Sequence, residues 1–449
     1  MSDKIKRVLV LVFGATTGAT LYEFIVGRGF RLLWNREIPW TMEGSVFIWP
    51  MDWLENILAE VKALATPGTI ISSAMWGADV VHMYEDKVVG KVLHYRSVPS
   101  EYAQKLISDS GISKYEWSRL MGHVHPEFYQ MVFNSRYWRQ NILYYEGYLK
   151  VIPLADWITW KLSGQKGHDK VMLHNQGAGV PTSKLVNRYF DKSHCSQFAP
   201  IWSEFSSSQL LEIGNGVSVV PCTHDSALAR TVLASTGLSW GVWTGSWYGI
   251  CKIVSETDVA SERTYDAGLV FEAMPNDATS AISNIGMHGP HYKALKNING
   301  KMSYESAAEL ALANLDQVIV DRYIFNQEIL SQKPDDFAKL ALEMVKGDLG
   351  LALAAMANTI AFSCRAGLSK AALALGTSIP HEVAIVGGFA ENAAILKALE
   401  NYSNKVVVPP FAGLATQAGA AAQALYLAGM ASNTGEALKM FPNVELTAE

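Results

Sequence analysis

A histidine and an aspartate stand side by side at positions 224 and 225, within the stretch VVPCTHDSALA (219–229). An apolar run precedes the pair and a small-residue helix start follows it, which predicts a strand that passes into a helix. Asp is frequent at helix N-caps, and this is one interpretation of Asp225. A hydroxyl group that awaits phosphate needs a base within hydrogen-bond reach, and this is the other. A cap needs no neighbouring imidazole, but the spacing leaves both interpretations open.

Three glycine-bearing turns form a second group that could do chemistry. They are FGATTGA (13–19), WTGSWYG (243–249) and VGGFAEN (386–392). Glycine beside Thr or Ser lets the backbone approach an anion and offers N–H groups and hydroxyls to phosphate oxygens. None of the three matches the P-loop or the dinucleotide fingerprint, and one such turn alone is more often an ordinary hairpin. Three together predict a nucleotide held between two lobes.

Strands and helices must position these turns, and the hydrophobic pattern predicts them in two series. In the first, RVLVLVF and the segment after it predict a hairpin that opens a sheet, and GTIISSAMWGADVVHMY predicts two short strands about a Trp76–Gly77 turn. The aromatic-rich stretch 97–200 is predicted to be a helical or irregular insertion. The strand–helix and strand–turn–strand pattern then restarts near residue 217. Two halves of related design, each α/β, are therefore expected.

Length and composition bound the class of protein. A chain of 449 residues is too long for one ordinary core and predicts two domains. The net charge of −5, with Lys and Arg scattered, lacks the basic surface of a nucleic-acid-binding protein, so a small-molecule substrate is expected. Four cysteines without CxxC spacing predict reduced, buried thiols and a cytoplasmic protein. The apolar N-terminal stretch is interrupted between Gly14 and Gly18, which predicts neither a signal peptide nor a membrane span.

The chain resembles the FGGY carbohydrate kinases, and within them the L-rhamnulose and L-fuculose kinases. The most specific segments are THDSALA with TGSW, and IVGGFAENAAIL with the alanine-rich helix after it; the matching segments occur in the family's order over nearly the whole chain. The resemblance implies two ribonuclease-H-like domains of the actin-like ATPase type, with a cleft between them. The implied domains are 1–230, which binds sugar and carries the first phosphate hairpin, and 231–449, which binds the nucleotide.

The resemblance also implies ATP-dependent phosphorylation of a hydroxyl on a small sugar, a ketose such as L-rhamnulose or L-fuculose or a related polyol. Asp225 would be the general base, and ATP and Mg²⁺ the cofactors, with no metal ligand assigned. Four residues would contact the sugar: His224, Trp76, Gly77 and Arg96. Three sets would contact the nucleotide: Gly14, Thr16 and Thr17; Thr244, Gly245 and Ser246; and Gly387, Gly388 and Asn392. The expected partners are the sugar and ATP, without nucleic acid or membrane, and a homodimer is compatible with the sequence.

Four positions depart from the family's pattern. The family usually has an Asp that helps to hold Mg²⁺ at the position of Val12, a basic residue at Ala19, an acidic residue at Ala74 and an Asp at Ser97. Because hard cations are held mainly by carboxylates, water and phosphates, these losses predict weakened turnover with nucleotide binding retained. A second hypothesis is therefore a kinase-derived protein that senses sugar or nucleotide. A third, an acyl-phosphate-forming kinase of the same fold, is disfavoured by the THD-type base.

Overall fold

The computed structural model describes residues 5–14, 18–77, 79–97, 99–109, 111, 113–120, 150–175, 204–205, 209–245, 248–254, 260–275, 278–286, 288–318, 324–402 and 405–446. The strands are β1 Arg7–Gly14, β2 Gly18–Ile25, β3 Gly29–Arg36, β4 Thr41–Glu43, β5 Val46–Ile48, β6 Thr69–Met75, β7 Val80–Tyr84, β8 Lys87–Val88, β9 Lys150–Pro153, β10 His168–Asp169, β11 Glu204–Phe205, β12 Leu211–Gly214, β13 Val217–Val219, β14 Thr223–His224, β15 Trp240–Thr244, β16 Tyr248–Val254, β17 Val270–Ala273, β18 Thr279–Gly286, β19 Glu382–Gly387 and β20 Lys405–Val407.

The α-helices of the described residues are α1 Met51–Leu64, α2 Ser100–Asp109, α3 Lys114–Leu120, α4 Leu154–Ser163, α5 Lys170–Asn175, α6 Asp225–Ala234, α7 Glu262–Asp266, α8 His288–Lys296, α9 Tyr304–Asn314, α10 Gln327–Leu330, α11 Pro334–Met344, α12 Leu349–Ala374, α13 Ala393–Asn401, α14 Ala415–Leu427 and α15 Thr434–Lys439. Thr16, Thr17 and Ser246 lie outside the described residues, as do residues 121–149 and 176–200 of the insertion expected over 97–200.

The first sheet has the strand order β12-β13-β6-β1-β2-β3, with β14 paired to the end of β6. β1, β2 and β3 form an antiparallel meander, while β6 runs parallel to β1 and β13 parallel to β6. β1 is buried on both faces, because Val10 and Val12 point into one core and Leu9 and Leu11 into another. The two strands expected about Trp76 and Gly77 form, but β7 pairs with β8 and β9 in a separate sheet rather than with β6.

The second sheet repeats this arrangement, with the strand order β17-β18-β16-β15-β19-β20. β15, β16 and β18 form the antiparallel meander, β19 runs parallel to β15, and β20 runs parallel to β19. With β12, β14 and β17 left aside, five strands of each half therefore share the spatial order third, second, first, fourth, fifth, namely β3-β2-β1-β6-β13 and β18-β16-β15-β19-β20. This confirms the α/β fold with two halves of related design.

Two helices, α6 and α14, lie between the sheets. α6 contacts β6 and β14 of the first sheet and β15 and β19 of the second, and α14 contacts β1, β6 and β19. Where the helices cross, a Cβ on Gly419 would lie 2.2 Å from the carbonyl oxygen of Leu228, so the crossing requires glycine. Through these helices the two halves share one core. The expected domain boundary after residue 230 falls within α6 and stays a prediction.

One helix of the described residues, α12, has the length and apolar composition of a membrane span. Of its most apolar 18-residue window, 67% is buried inside the protein. The helix packs on β16 and β18 and on helices α8, α9 and α13. These are the contacts of a core helix. The expected buried thiols are found at Cys222, Cys251 and Cys364, which are free and buried, whereas Cys195 lies outside the described residues.

Candidate active site

The carboxyl ends of three strands of the first sheet meet at one edge. Phe13 of β1 is level with Met75 of β6, and Met75 is level with His224 of β14. Gly14 at the end of β1, Trp76 with Gly77 after β6, and Asp225 after β14 are therefore neighbours. In open α/β sheets, ligands bind at this edge.

Asp225 is the first residue of α6, and its side chain does not cap the helix. The N-cap position is taken by His224, which makes no side-chain capping hydrogen bond. Asp225 Oδ1 accepts hydrogen bonds from the backbone N–H of Ser226 (2.7 Å) and from its hydroxyl (3.2 Å), and lies 3.7 Å from His224 Nε2. The side chain is 28% exposed. Its Oδ2 accepts no hydrogen bond from the described residues.

The backbone of Asp225 is held by the second half of the chain. The hydroxyl of Thr416, in the first turn of α14, donates a hydrogen bond of 3.3 Å to the Asp225 carbonyl oxygen. Because α6 and α14 also pack directly on each other, the position of the carboxylate depends on both halves of the protein.

Gly77 and His224 are in direct contact on the side of the cleft where sugar was expected. A Cβ on Gly77 would lie 2.8 Å from Cδ2 of the His224 imidazole and 3.5 Å from Sδ of Met172. Trp76 is buried instead, with 6% of its surface exposed. Its ring stacks on that of Trp49 at 5.4 Å and lies 5.2 Å from that of His94. The structure thus brings Gly77 and His224 together and places the Trp76 ring within an aromatic cluster.

Arg96 is exposed and is attached to the same cluster through Tyr95. Its Nε donates a 3.1 Å hydrogen bond to the Tyr95 hydroxyl, and its guanidinium lies 5.5 Å from the centre of that ring. Burial raises the pKa of Tyr95; the charge and the hydrogen bond of Arg96 oppose the rise, and the charges of Asp79 and Asp225 add to it. Arg96 makes no ion pair with the described residues.

Asp79 is a buried acid in this region that the motif analysis missed. Its Oδ2 accepts a 2.5 Å hydrogen bond from Trp49 Nε1, and its Oδ1 accepts one of 2.7 Å from the Tyr95 backbone N–H. Burial raises the pKa of Asp79 to about 7 despite these hydrogen bonds. Asp79 thereby joins the strand ends to the turn that carries Arg96. The sequence feature that could have identified Asp79 is its position two residues after Gly77.

On the second sheet, the hairpin at Thr244 is tied to the turn after β19. Thr244 is level with Gly387, and its hydroxyl donates to the Val386 carbonyl (2.8 Å) and accepts from the Phe389 N–H (3.0 Å). Gly387 has φ of +94°, and a Cβ there would lie 1.6 Å from the Thr244 carbonyl oxygen. The Thr244 hydroxyl is thus used to join two turns, and the exposed Gly245 follows it.

The next two residues of the expected nucleotide set differ in their surroundings. Gly388 is exposed, and a Cβ there would meet nothing within 4 Å, so it faces open space. Asn392 is 4% exposed and caps α13: its Oδ1 accepts the Ile395 N–H at 3.1 Å, and its Nδ2 donates to the Tyr292 hydroxyl at 2.7 Å. Asn392 therefore holds the loop in shape, and a direct contact with nucleotide stays a prediction.

The described residues do not fit a magnesium site held by protein carboxylates. Val12 and Ala74 are level with each other in the first sheet and are both buried. The Ser97 hydroxyl is bonded to the N–H and the carbonyl of Phe47. Within the described part of the chain, no three His, Cys, Asp or Glu side chains are grouped closely enough to hold a metal ion. Positions 12 and 74, where the resemblance implies acidic residues, therefore supply no second carboxylate beside Asp225.

The chain matches no protein-family model and no curated protein. Its fold is similar to that of several solved structures. For Plasmodium falciparum glycerol kinase with ADP, the TM-score is 0.71 at 13% identity, covering 97% of this chain and 92% of that one. For xylulose kinase from Rhodospirillum rubrum the TM-score is 0.70 at 14% identity, and for gluconate kinase from Lactobacillus acidophilus 0.68 at 12%, both with 97% and 92% coverage. The two-domain actin-like ATPase fold is thereby confirmed.

Proposed function

We propose that this protein is an ATP-dependent carbohydrate kinase in which Asp225 is the general base. The observation that carries the proposal is the placement of the Asp225 carboxylate. It is partly exposed at the edge where β1, β6 and β14 end, beside Gly77 and His224. The similar solved structures include kinases of xylulose, glycerol and gluconate, and this supports a sugar or polyol as acceptor.

In the proposed reaction, the Asp225 carboxylate accepts the proton of a substrate hydroxyl. The hydroxyl oxygen forms a bond to the γ-phosphorus of ATP, the bond from that phosphorus to the β–γ bridging oxygen breaks, and ADP leaves with the electron pair. Such a transfer needs alignment and charge stabilisation more than covalent chemistry from the protein. Gly388, exposed and with open space beside it, supports nucleotide binding at the second sheet, and the exposed cationic side chain of Arg96 supports charge stabilisation at the first.

The acceptor is proposed to be a ketose such as L-rhamnulose or L-fuculose, or a related polyol. Support comes from the Gly77–His224 contact, which shapes the wall beside the base, and from the segments THDSALA and TGSW. A cytoplasmic location is proposed with it, because ATP is available there and the three buried thiols stay reduced.

The test is Asp225→Asn, with ADP formation measured over a panel of ketoses and pentitols. We expect sugar-dependent turnover to fall by about a thousandfold, because removing a general base costs typically ~10²–10⁴-fold. Asp52→Asn is the matched control, since Asp52 is likewise an acid in the first turn of a helix but is exposed on α1. Sugar-dependent turnover in Asp225→Asn at the wild-type rate would remove Asp225 from this role.

A second candidate function is a sensor that binds sugar or nucleotide with little catalysis. The burial of Val12 and Ala74, and the missing carboxylate partner for Asp225, favour it. Calorimetry with ATP, with and without Mg²⁺, separates the two functions. ATP binding that is indifferent to Mg²⁺, together with undetectable phosphoryl transfer, supports the sensor. Sugar-stimulated ATP consumption excludes it.

A further inference from the structure

A fully buried polar cluster lies directly behind the strand that carries the base. Its members are Asp156, His168, Asp169 and Thr223, none more than 1% exposed. His168 Nδ1 lies 2.6 Å from Asp156 Oδ2, and the Asp169 N–H donates to Asp156 Oδ1 at 2.9 Å. The Thr223 hydroxyl donates to Asp169 Oδ1 at 2.8 Å. The cluster therefore ends on the residue that stands two positions before Asp225.

Helix α4 attaches to the same strand one residue earlier. Thr159 lies one turn after Asp156 on α4, and its hydroxyl accepts the backbone N–H of Cys222 at 2.8 Å while donating to the Ala155 carbonyl at 3.0 Å. Cys222 and Thr223 are thus held from one side by consecutive hydrogen bonds. With the parallel pairing of Thr223 to Ala74, these bonds fix the segment from which His224 and Asp225 project.

Asp169 also bonds to helix α5, which lies beside Gly77. The same Oδ1 that accepts from Thr223 accepts the backbone N–H of Met172 at 2.7 Å. Met172 is the residue whose Sδ lies 3.5 Å from the Cβ position of Gly77, which in turn touches His224. Asp169 Oδ1 therefore fixes two elements: the segment that precedes Asp225, and helix α5, which packs against Gly77.

The second oxygen of Asp169 is buried and has no hydrogen-bond partner among the described residues. Burial raises the pKa of Asp169 to about 7, and the nearby charge of Asp156 adds to the rise. A buried carboxylate without a cation of its own destabilises a fold. Stability alone therefore does not explain an acid at this position.

We propose that Asp169 is a positioning residue, which holds His224 and Asp225 in place through Thr223. Through Met172 it also holds helix α5 in place beside Gly77. The inference deepens the proposed kinase function and rests on it for its catalytic consequences. Asp169 itself does not touch substrate. Loss of Asp169 is expected to lower the rate of the chemical step, because a small misplacement of a general base slows proton transfer. ATP binding is expected to be unaffected, because the proposed nucleotide site is built on the second sheet.

The test compares Asp169→Ala, Asp169→Asn and Thr223→Val with wild type in the full-length protein, by sugar-dependent ADP formation and thermal unfolding. Asp169→Ala removes the acceptor, and we expect kcat to fall by about a hundredfold with the KM for ATP unchanged. Asp169→Asn keeps an acceptor oxygen and is expected to restore kcat to within about fivefold of wild type. Thr223→Val removes the hydroxyl alone and is expected to fall between the two, which keeps the test open if Asp169→Ala does not fold.

Thr359→Val is the matched control. Thr359 is also fully buried, and its hydroxyl also donates a hydrogen bond, to the Ala355 carbonyl (2.8 Å), while it accepts one from the Phe325 N–H (3.0 Å), but within the second half. A merely structural role predicts a loss of stability with unchanged kcat in both Thr223→Val and Thr359→Val. A kcat within about twofold of wild type in both Asp169→Ala and Thr223→Val overturns the proposal.

Side-chain ¹H–¹⁵N spectra of histidine give a readout that does not depend on turnover. We expect the His224 imidazole signals to shift in Thr223→Val and not in Thr359→Val. Unchanged His224 signals in Thr223→Val overturn the positioning role even if the wild-type protein phosphorylates no sugar of the panel. Absence of wild-type turnover, with shifted His224 signals, contradicts the kinase function and leaves the positioning role supported.

Discussion

The imidazole of His224 lies against the backbone of Gly77, so that a Cβ at position 77 would come within 2.8 Å of its Cδ2 and 3.2 Å of its Nε2. Such a distance requires the ring to move. We expect Gly77→Ala to raise the KM for sugar by about tenfold, equal to about 1.4 kcal/mol of lost binding, because the added methyl group displaces the His224 imidazole from its position against residue 77.

Steady-state kinetics with saturating ATP would measure the effect of Gly77→Ala. Gly367→Ala is the control, since its Cβ would also meet a side chain, Ile285 Cδ1 at 3.0 Å, but within the second half of the chain. An unchanged KM for sugar in Gly77→Ala would show that the imidazole does not help to form the sugar site.

The neighbouring glycines 387 and 388 are expected to respond in opposite ways to alanine. Gly387→Ala places a Cβ 1.6 Å from the Thr244 carbonyl at φ of +94°, so we expect a loss of stability of about 2 kcal/mol or more. Gly388→Ala meets open space, so its unfolding midpoint should be that of wild type. If a nucleotide fills that space, Gly388→Ala weakens ATP binding. Calorimetry with ATP and urea unfolding would measure affinity and stability in both variants. An ATP affinity of Gly388→Ala equal to that of wild type would show that the nucleotide does not fill this space.

A buried ion pair joins α6 to the edge of the second sheet. Arg230 Nη2 lies 2.7 Å from Glu272 Oε2, with the two side chains 1% and 13% exposed. We expect Glu272→Gln to lower the free energy of unfolding by about 3 kcal/mol, because it leaves the arginine charge buried and uncompensated. The double variant Arg230→Met with Glu272→Gln should recover most of that loss, as measured by urea unfolding.

Glu382→Gln is the comparison for the buried pair, because Glu382 bonds to Lys405 at the same 2.6 to 2.7 Å distance with 41% and 72% exposure. We expect this exposed pair to contribute less than about 1 kcal/mol. Equal losses in Glu272→Gln and Glu382→Gln would contradict the role of burial.

The buried Asp79 predicts a pH dependence of stability. Burial raises its pKa in the folded state to about 7, from the usual 3.8. Its contribution to stability is therefore fully present below the unfolded pKa and is lost as the pH rises through the folded one. We expect Asp79→Asn, which does not titrate, to gain on the order of 2 kcal/mol relative to wild type between pH 5 and pH 8. Urea unfolding across this range measures the difference, and a constant difference would contradict the raised pKa.

The sequence was sufficient for the strand and helix pattern where apolar residues alternate or repeat. β1 and β2 follow from RVLVLVF and the turn after it, and β15 and β16 from WGVWTGSWYGICKIV. The two strands expected about Trp76 and Gly77 are found, but the sequence did not predict their partners: β7 joins β9, which lies about seventy residues later in the chain. Local pattern predicts that a strand exists, but its partner is decided by distant segments.

The candidate site was predictable only where its residues are close in sequence. His224 and Asp225 are adjacent, and their position at a strand-to-helix junction could be read from the pattern. The hydroxyl of Thr244 is used by Val386 and Phe389, more than 140 residues away, which no local pattern reveals. Asn392 follows a glycine turn and precedes AAILKAL, so its capping role could have been recognised from the sequence.

Gly419 and Leu228 touch backbone to backbone, one helical turn away from Asp225. A contact this close allows little sliding, so any turning of one sheet against the other has its pivot near this crossing. Points near a pivot travel least. The carboxylate at position 225 would therefore move little in such a turning, so that in the proposed kinase the phosphate would approach a nearly stationary acceptor of the proton.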